Sequence, residues 1–409
     1  MLGPMKRWIF PVWASAIALS LLACGGGGGG GSTPGGTPKW TVLVFMNAAN
    51  DLSAYDLLNI NQMERVAGPD VQFVVQWKQA KGSWDSSPEF IGTRRYLIKR
   101  DNTSALASQL VQDMGTAVDM GKPGTLRDFI DWGRANYPSE RTCLIVWNHG
   151  NGWLRGPKKD DPISRGVSYD DATGNSIETW ELESALGPGK FDILSWDSSL
   201  MQMLEVAYEV KDQASFIVGS EESPPGEGLP YDKVFGRFRD NPTASTAELS
   251  KAFADGMMEV PEYNSRKITQ SSIDSSKLSA LANAMTVFAN QLIAEKATLT
   301  TAVPSARTKT QSYSDNGLRF YRDLRDLCQK LEAEPTASAD LKAASAAVRA
   351  ALANAVIYNR RNANSANSYG LSIDFTSATT FNASTKLADY PKLKFGMDTS
   401  WDEWLRVAP

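Results

Sequence analysis

The chain has 409 residues, 42% of them hydrophobic and 22% charged, with a formal net charge of −4. That balance suits a folded globular protein and gives no electrostatic case for nucleic acid as a partner. A single histidine excludes a multi-histidine metal centre, and three cysteines in so long a chain are not a disulfide framework.

The N-terminus sets the compartment. Lys6 and Arg7 precede an apolar stretch, Trp8 to Leu22, broken by two serines. It is too short and too early for a mature membrane span and reads as a signal peptide over residues 1–23. Leu21-Leu22-Ala23-Cys24 matches the box at which a bacterial lipoprotein signal peptidase cuts before a cysteine that is then lipidated. Gly25 to Gly36 is nearly all glycine, so residues 24–38 form a flexible tether behind a lipidated Cys24. The expected location is the bacterial cell envelope, exported and held by lipid on an outer membrane or cell surface.

From residue 39 to 409 the pattern is that of one large α/β domain. Trp40 to Met46, Val71 to Trp77, Cys143 to Trp147, Phe191 to Trp196 and Phe216 to Gly219 are apolar runs, as strands buried on both faces require. Helical spacing separates them: Leu126, Phe129, Ile130 and Gly133; then Trp180, Leu182 and Leu186 behind Thr179; then Leu200, Met203, Leu204, Ala207 and Val210. Alternation of this kind predicts a mostly parallel sheet with helices on both faces, and ligands beyond the carboxyl ends of its strands. Asn47 to Asp51, Asn148 to Trp153, Asp197 to Ser199 and Ser220 to Glu222 fall there. Leu278 to Leu292 and Leu341 to Val356 step at three and four, which predicts a helical C-terminal insertion over about 274–357. Tyr369 to Phe375 reads as a strand that returns after it.

His149 sits in Val146-Trp147-Asn148-His149-Gly150-Asn151-Gly152-Trp153, at a strand end and before glycines that let a substrate backbone approach. General acid–base work and a structural histidine both fit that place. Phe191-Asp192-Ile193-Leu194-Ser195-Trp196-Asp197-Ser198-Ser199-Leu200-Met201 runs from a strand towards a helix. With the helix starting at Ser198, Asp197 is placed as its N-cap and Ser199 near the positive end of its dipole.

These segments together resemble the clostripain family of cysteine peptidases, relatives of caspases, gingipains and legumains. The resemblance runs through Trp40 to Asn47 with Asn50-Asp51-Leu52, His149-Gly150-Asn151-Gly152-Trp153 and Tyr169-Asp170-Asp171. It continues through Glu205 to Glu209, Ser220-Glu221-Glu222, Gly228 to Asp232, Gly370 to Ile373 and Asp398 to Trp401. It implies a caspase-like α/β/α sandwich and a peptide substrate. The family pattern Asp-Ala-Cys-Leu-Met, laid on Asp197 and Leu200-Met201, puts Ser199 where the nucleophilic cysteine stands. His149 matches the family histidine. Asp197 matches the aspartate of the specificity pocket in members that cut after Arg or Lys, and Gly150, next to His149, is the candidate for the approach of the substrate backbone.

A serine must lose its proton as it attacks, to a base usually held by a buried carboxylate, whereas a thiolate is reactive near neutral pH. The resemblance supplies a dyad without that carboxylate. The leading expectation is an envelope lipoprotein that binds extended peptides bearing Arg or Lys with catalysis impaired. One alternative is an active endopeptidase with Ser199 as nucleophile and His149 as base; the other is a surface scaffold with a relic groove. Calcium enters only by family resemblance, with Asp170-Asp171 as the candidate ligands against a plain turn. The resemblance also implies a cleavable loop after His149, which here carries Lys158, Lys159 and Arg165.

Overall fold

The structure is a computed structural model that describes residues 36–155 and 166–409. The signal segment, Cys24 and most of the tether lie outside the described residues, as does nearly all of the candidate cleavage loop. Residues 37–409 form one compact unit.

In chain order the first strands are β1 (Trp40–Ala48), β2 (Val71–Gln79), β3 (Gly92–Leu97), β4 (Gln109–Asp113), β5 (Arg141–Trp147), β6 (Val167–Asp170) and β7 (Asn175–Ile177). Then come β8 (Phe191–Asp197), β9 (Ala214–Gly219), β10 (Thr269–Asp274), β11 (Ser312–Tyr313), β12 (Tyr321–Asp323), β13 (Val356–Arg361) and β14 (Ser372–Asp374). Nine of them make one sheet in the order β13-β10-β9-β8-β5-β1-β2-β3-β4. The central neighbours β9, β8, β5, β1 and β2 are all parallel, and the strands at either margin are antiparallel.

β1 shows why the middle strands are apolar throughout. All nine of its residues are buried, paired to β2 on one side and β5 on the other. Its side chains alternate between two cores, as the pleat demands. Leu43 and Phe45 join Leu126, Phe129 and Ile130 of helix α2, which follows α1 (Ser53–Val66) and spans Pro123–Asn136. Val42, Val44 and Met46 join Ile60 and Met63 of α1 on the other face. The remaining main helices are α3 (Leu182–Leu186), α4 (Leu204–Glu209), α5 (Tyr231–Asp240), α6 (Thr246–Met258), α7 (Leu278–Glu295), α8 (Ala302–Lys309), α9 (Leu324–Glu332) and α10 (Ala339–Ala355). Helices α5 and α6 share the core of α1, while α7 and α10 share that of α2, so the sheet is covered on both sides. This is the α/β/α sandwich expected.

The helical insertion lies where the spacing placed it, as a long excursion between the paired strands β10 and β13. Two boundaries differ. Val356 continues the apolar stepping of α10, yet it opens a strand, because the β-branched run Val356-Ile357 reaches the sheet margin and pairs with β10. The strand after the insertion is shorter than predicted, and β14 does not rejoin the main sheet. It pairs with β12 in a separate sheet ordered β11-β12-β14. Among the described residues no helix is long and apolar enough to cross a membrane.

Candidate active site

The parallel strands β1, β5 and β8 end together, and a cleft of about 310 Å³ opens there. It is lined by His149, Ser199 and Asp197, with Leu52 and Trp147 beside them and Ser223 to Gly226 with Gly228 as the opposite wall. Three residues placed at the site from sequence thus meet in one cavity. Asn148 fixes the corner: its amide donates to the carbonyl oxygens of Asn47 and Tyr169, and its side-chain oxygen accepts from the Tyr169 amide at 2.7 Å. A buried side chain with that many partners locks the ends of β1, β5 and β6 in one arrangement.

Ser199 does not start a helix. Helix α4 begins at Leu204, with an extended Met203 at its N-cap. Ser199 and Leu200 form a turn in which Leu200 takes a φ of 66°, a left-handed conformation that costs a leucine energy and is held only by surrounding structure. The holding contacts are the Leu200 and Gln202 amides donating to the carbonyls of Glu222 and Ser220 at 3.4 and 3.1 Å. The helix-dipole argument for Ser199 therefore fails, and so does the reading of Asp197 as an N-cap. The apolar stepping from Leu200 was the packing of the turn itself.

Asp197 is 7% exposed. Its carboxylate accepts from the Tyr231 hydroxyl at 2.9 Å and the Leu229 amide at 3.0 Å. Burial pushes its pKa up to about 7, against the lowering effect of those two bonds. The same burial, with the Asp197 charge beside it, lifts the Tyr231 phenol well above its ordinary range. Gly228 makes this approach fit: its φ is 65°, and a Cβ there would stand 2.6 Å from the Asp197 Oδ1. Gly150 answers a different need from the one its sequence suggested. A Cβ there would meet the Ser199 carbonyl oxygen at 2.4 Å, so the glycine lets the histidine segment press against the Ser199 turn.

The His149 Nε2 lies 2.6 Å from the Asp51 Oδ1. The histidine side chain is 26% exposed and the aspartate 68%. Asp51 is the functional candidate to which sequence reasoning gave no role, although Asn50-Asp51-Leu52 stood at a strand end. Asn50 places it: its side chain accepts from the Leu52 amide at 3.0 Å and donates to Tyr169 at 2.8 Å. Both Cys143 and Cys328 are free and buried, in β5 and α9. Burial raises the Cys143 thiol well above its usual range and the Cys328 thiol to about 12, so neither offers a thiolate to the cleft.

Asp170 does not suit a calcium ion. Its Oδ2 accepts from the Lys78 ammonium at 2.6 Å and the Met120 amide at 2.9 Å, all buried. A cation at Oδ2 would have to displace an ammonium already there. Among the described residues no group of three or more His, Cys, Asp or Glu side chains is arranged to hold a metal ion.

Comparison with known proteins places this geometry. A secreted C11 cysteine protease from Bacteroides thetaiotaomicron, solved with an irreversible peptide inhibitor, superposes with a TM-score of 0.64 at 21% identity. That likeness covers 89% of this chain and 100% of the other. An inactive zymogen C11 protease from Parabacteroides distasonis gives 0.68 at 22% identity, over 89% and 98%. These likenesses establish the fold. In sequence, the clostripain of Hathewaya histolytica is 26% identical over 224 residues, which is 49% of this chain and 42% of that protein. The chain therefore matches under half the length of that relative. The sequence profile of the Clostripain family matches residues 44–407, a span that takes in every side chain of the cleft named above, and on that match the chain belongs to the clostripain family.

Proposed function

We propose that this protein is an exported, lipid-anchored member of the clostripain family that binds extended peptides at a basic residue and cuts them slowly or not at all. The observation that carries the reading is Asp197. A buried carboxyl on the wall of a cleft shared with His149 and Ser199 suits an Arg or Lys side chain, and it has lone pairs left beyond those given to Tyr231 and Leu229. The solved relatives bring a peptide-inhibitor complex and a secreted member, which agree with a peptide ligand and with export. Ser199 stands at the position of the family nucleophile, and a hydroxyl there lacks the ready thiolate.

Asp197 titrates near neutrality, so binding should depend on pH with a definite sign. Only the ionised carboxylate attracts a basic side chain. With a pKa of about 7, the affinity for an Arg peptide should rise from pH 5 to 7 and level off above it. A peptide with norleucine in place of Arg should show no such rise. Fluorescence anisotropy with the two peptides checks this; equal affinity for both at pH 8 would remove the basic-residue reading.

Asp51 favours the second reading, an active endopeptidase. With the Nε2 proton given to Asp51, the Nδ1 of His149 is the nitrogen left to take the Ser199 proton, and the carboxylate would hold the tautomer as in a serine triad. Asp51 is far more exposed than such a carboxylate usually is, which weakens that support. Release of product from an Arg peptide, lost in Ser199→Ala, would establish this reading over the first.

The anchor is tested separately. Cells fed an alkyne analogue of palmitate should label the protein, and Cys24→Ala should abolish the label and change the processed mass. A label that persists in Cys24→Ala excludes lipidation at this cysteine.

A further inference from the structure

In the core shared by α4 and α7 lies a charged cluster that the cleft does not use. Lys386 opens a short helix, Lys386–Asp389, and Asp374 is the last residue of β14. Their side chains are 1% and 0% exposed, and the Lys386 Nζ donates to the Asp374 Oδ2 at 2.6 Å. Lysine is almost never buried this fully unless it is paired. The Thr376 hydroxyl accepts from the same Nζ at 3.0 Å, and the Thr376 amide donates to the other carboxylate oxygen, Oδ1, at 3.1 Å. The indole N–H of Trp153 donates to Oδ2 at 2.9 Å, and its ring packs on that of Tyr390 with centres 4.8 Å apart.

A second carboxyl stands beside this pair. Glu205 of α4 is fully buried, and its Oε1 accepts from the Asp374 amide and the Tyr390 hydroxyl, both at 2.9 Å. Its Oε2 has no partner among the described residues. Burial, with the Asp374 charge second, raises the Glu205 pKa to about 8, so the group holds a proton at neutral pH and can pass it on. Burial also lowers the Lys386 pKa against the pull of Asp374, which favours the free amine. The other buried pair is built differently: Lys78 also donates to the Val118 carbonyl at 2.7 Å, a bond that holds its ammonium charged. An amine, a carboxyl and a neutral acid kept together away from water are the reactants and the proton relay of an amide bond.

We propose that Lys386 and Asp374 condense to an amide that staples the short helix to β14, with Glu205 as the proton relay. The oxygen that Nζ touches is one bond from the carbon to be attacked, so the reactants are already in place. Of the three Nζ protons, one passes to Oδ2 across their hydrogen bond, and the freed lone pair attacks the carboxyl carbon. Charge that gathers on Oδ1 faces the Thr376 amide N–H. Glu205 gives its proton to Oδ2 and takes a second one from the nitrogen. The bond from carbon to Oδ2 then breaks, its electron pair leaves with the oxygen as water, and the third proton stays on the amide. No oxidant or other reagent is consumed. The new bond closes a loop over residues 374–386, in a domain whose two described cysteines are free. The inference is independent of the cleft and of whether the cleft cuts.

The test is mass spectrometry of the full-length protein, denatured and digested with trypsin, which cuts after a free lysine and not after an acylated one. Between Arg361 and Lys392 the only cutting point is Lys386. The wild type should therefore yield residues 362–392 as one peptide, lighter by the mass of one water, with no backbone fragments from cuts between 374 and 386. Lys386→Arg keeps a cation on Asp374 and cannot condense in this way, so it should release residues 362–386 at full mass. Glu205→Gln keeps the shape and removes the relay, and should leave most molecules open. Release of 362–386 and 387–392 at full mass as the main wild-type products would overturn the proposal. So would a water missing from Lys386→Arg, which marks a cyclic imide at Asp374, or a water lost from peptides holding Lys78 and Asp170 instead. Undiminished closure in Glu205→Gln would remove the relay. The wild-type digest decides the matter even where a variant fails to fold.

Discussion

Replacing Ser199 with cysteine should turn the protein into a measurable peptidase that cuts after Arg or Lys. The reason lies in the reacting atom. A thiol near an imidazole ionises close to neutral pH, whereas a hydroxyl must be deprotonated during attack. Helix α4 starts at Leu204, so no helix terminus assists at position 199 and the activation must come from His149. Asp197→Ala in the cysteine background should then cost basic substrates a charge-assisted hydrogen bond of roughly 1.5–3 kcal/mol. At about 1.4 kcal/mol per decade, kcat/KM for an Arg substrate should fall roughly ten- to a hundredfold. A norleucine substrate should change little. Hydrolysis of paired fluorogenic peptides reads both effects. If Ser199→Cys is folded by circular dichroism and still inert, the groove itself has changed, and the scaffold reading takes the place of the peptide-binding one.

The largest effect on stability is expected at Lys78. Its ammonium and the Asp170 carboxylate are 3% and 0% exposed and 2.6 Å apart, joining β2 to β6. Lys78→Met would strand a buried carboxylate, which typically costs about 3–5 kcal/mol. The urea midpoint should drop accordingly. The double variant Lys78→Met with Asp170→Asn should recover much of the loss, because the charge leaves while an acceptor for the Met120 amide stays. A single variant that loses less than about 1 kcal/mol would mean that water reaches the pair. Tyr169, next to Asp170, holds Asn148 and Asn50, so the damage should also loosen the corner that carries His149 and Asp51.

The fold was legible where burial repeats simply. Strands such as β1, β5 and β8, apolar over most of their length, leave legible runs, and His149 and Asp197 stand at the ends of β5 and β8. What escaped the reading is polar. Helix α1 buries Asp56, Asn59 and Glu64, so its inner face shows no apolar stripe. Asp56 accepts from Trp77 and Gln79, and Asn59 accepts from Trp147 and donates to the Glu227 carbonyl, so the helix is held by specific bonds that no periodicity displays. The marginal strand β10, Thr-Gln-Ser-Ser-Ile-Asp, is hidden in the same way. At the site, the start of α4 was misplaced because Leu200 and Met203 are buried by a turn as thoroughly as a helix would bury them. Asp51 was missed because its role is a pairing across 98 residues with a histidine, and nothing in its own neighbourhood signals that.

The close approach of Gly150 to the Ser199 carbonyl has a consequence for how this family can diverge. The Ser199 carbonyl and the Met201 side chain stand closest to Gly150, so the histidine segment is fitted to the turn at 199 by a main-chain oxygen and a neighbouring side chain. On the proposed reading, an exchange of sulfur for oxygen at 199 would leave this packing in place, and a receptor would remain where a blade had been.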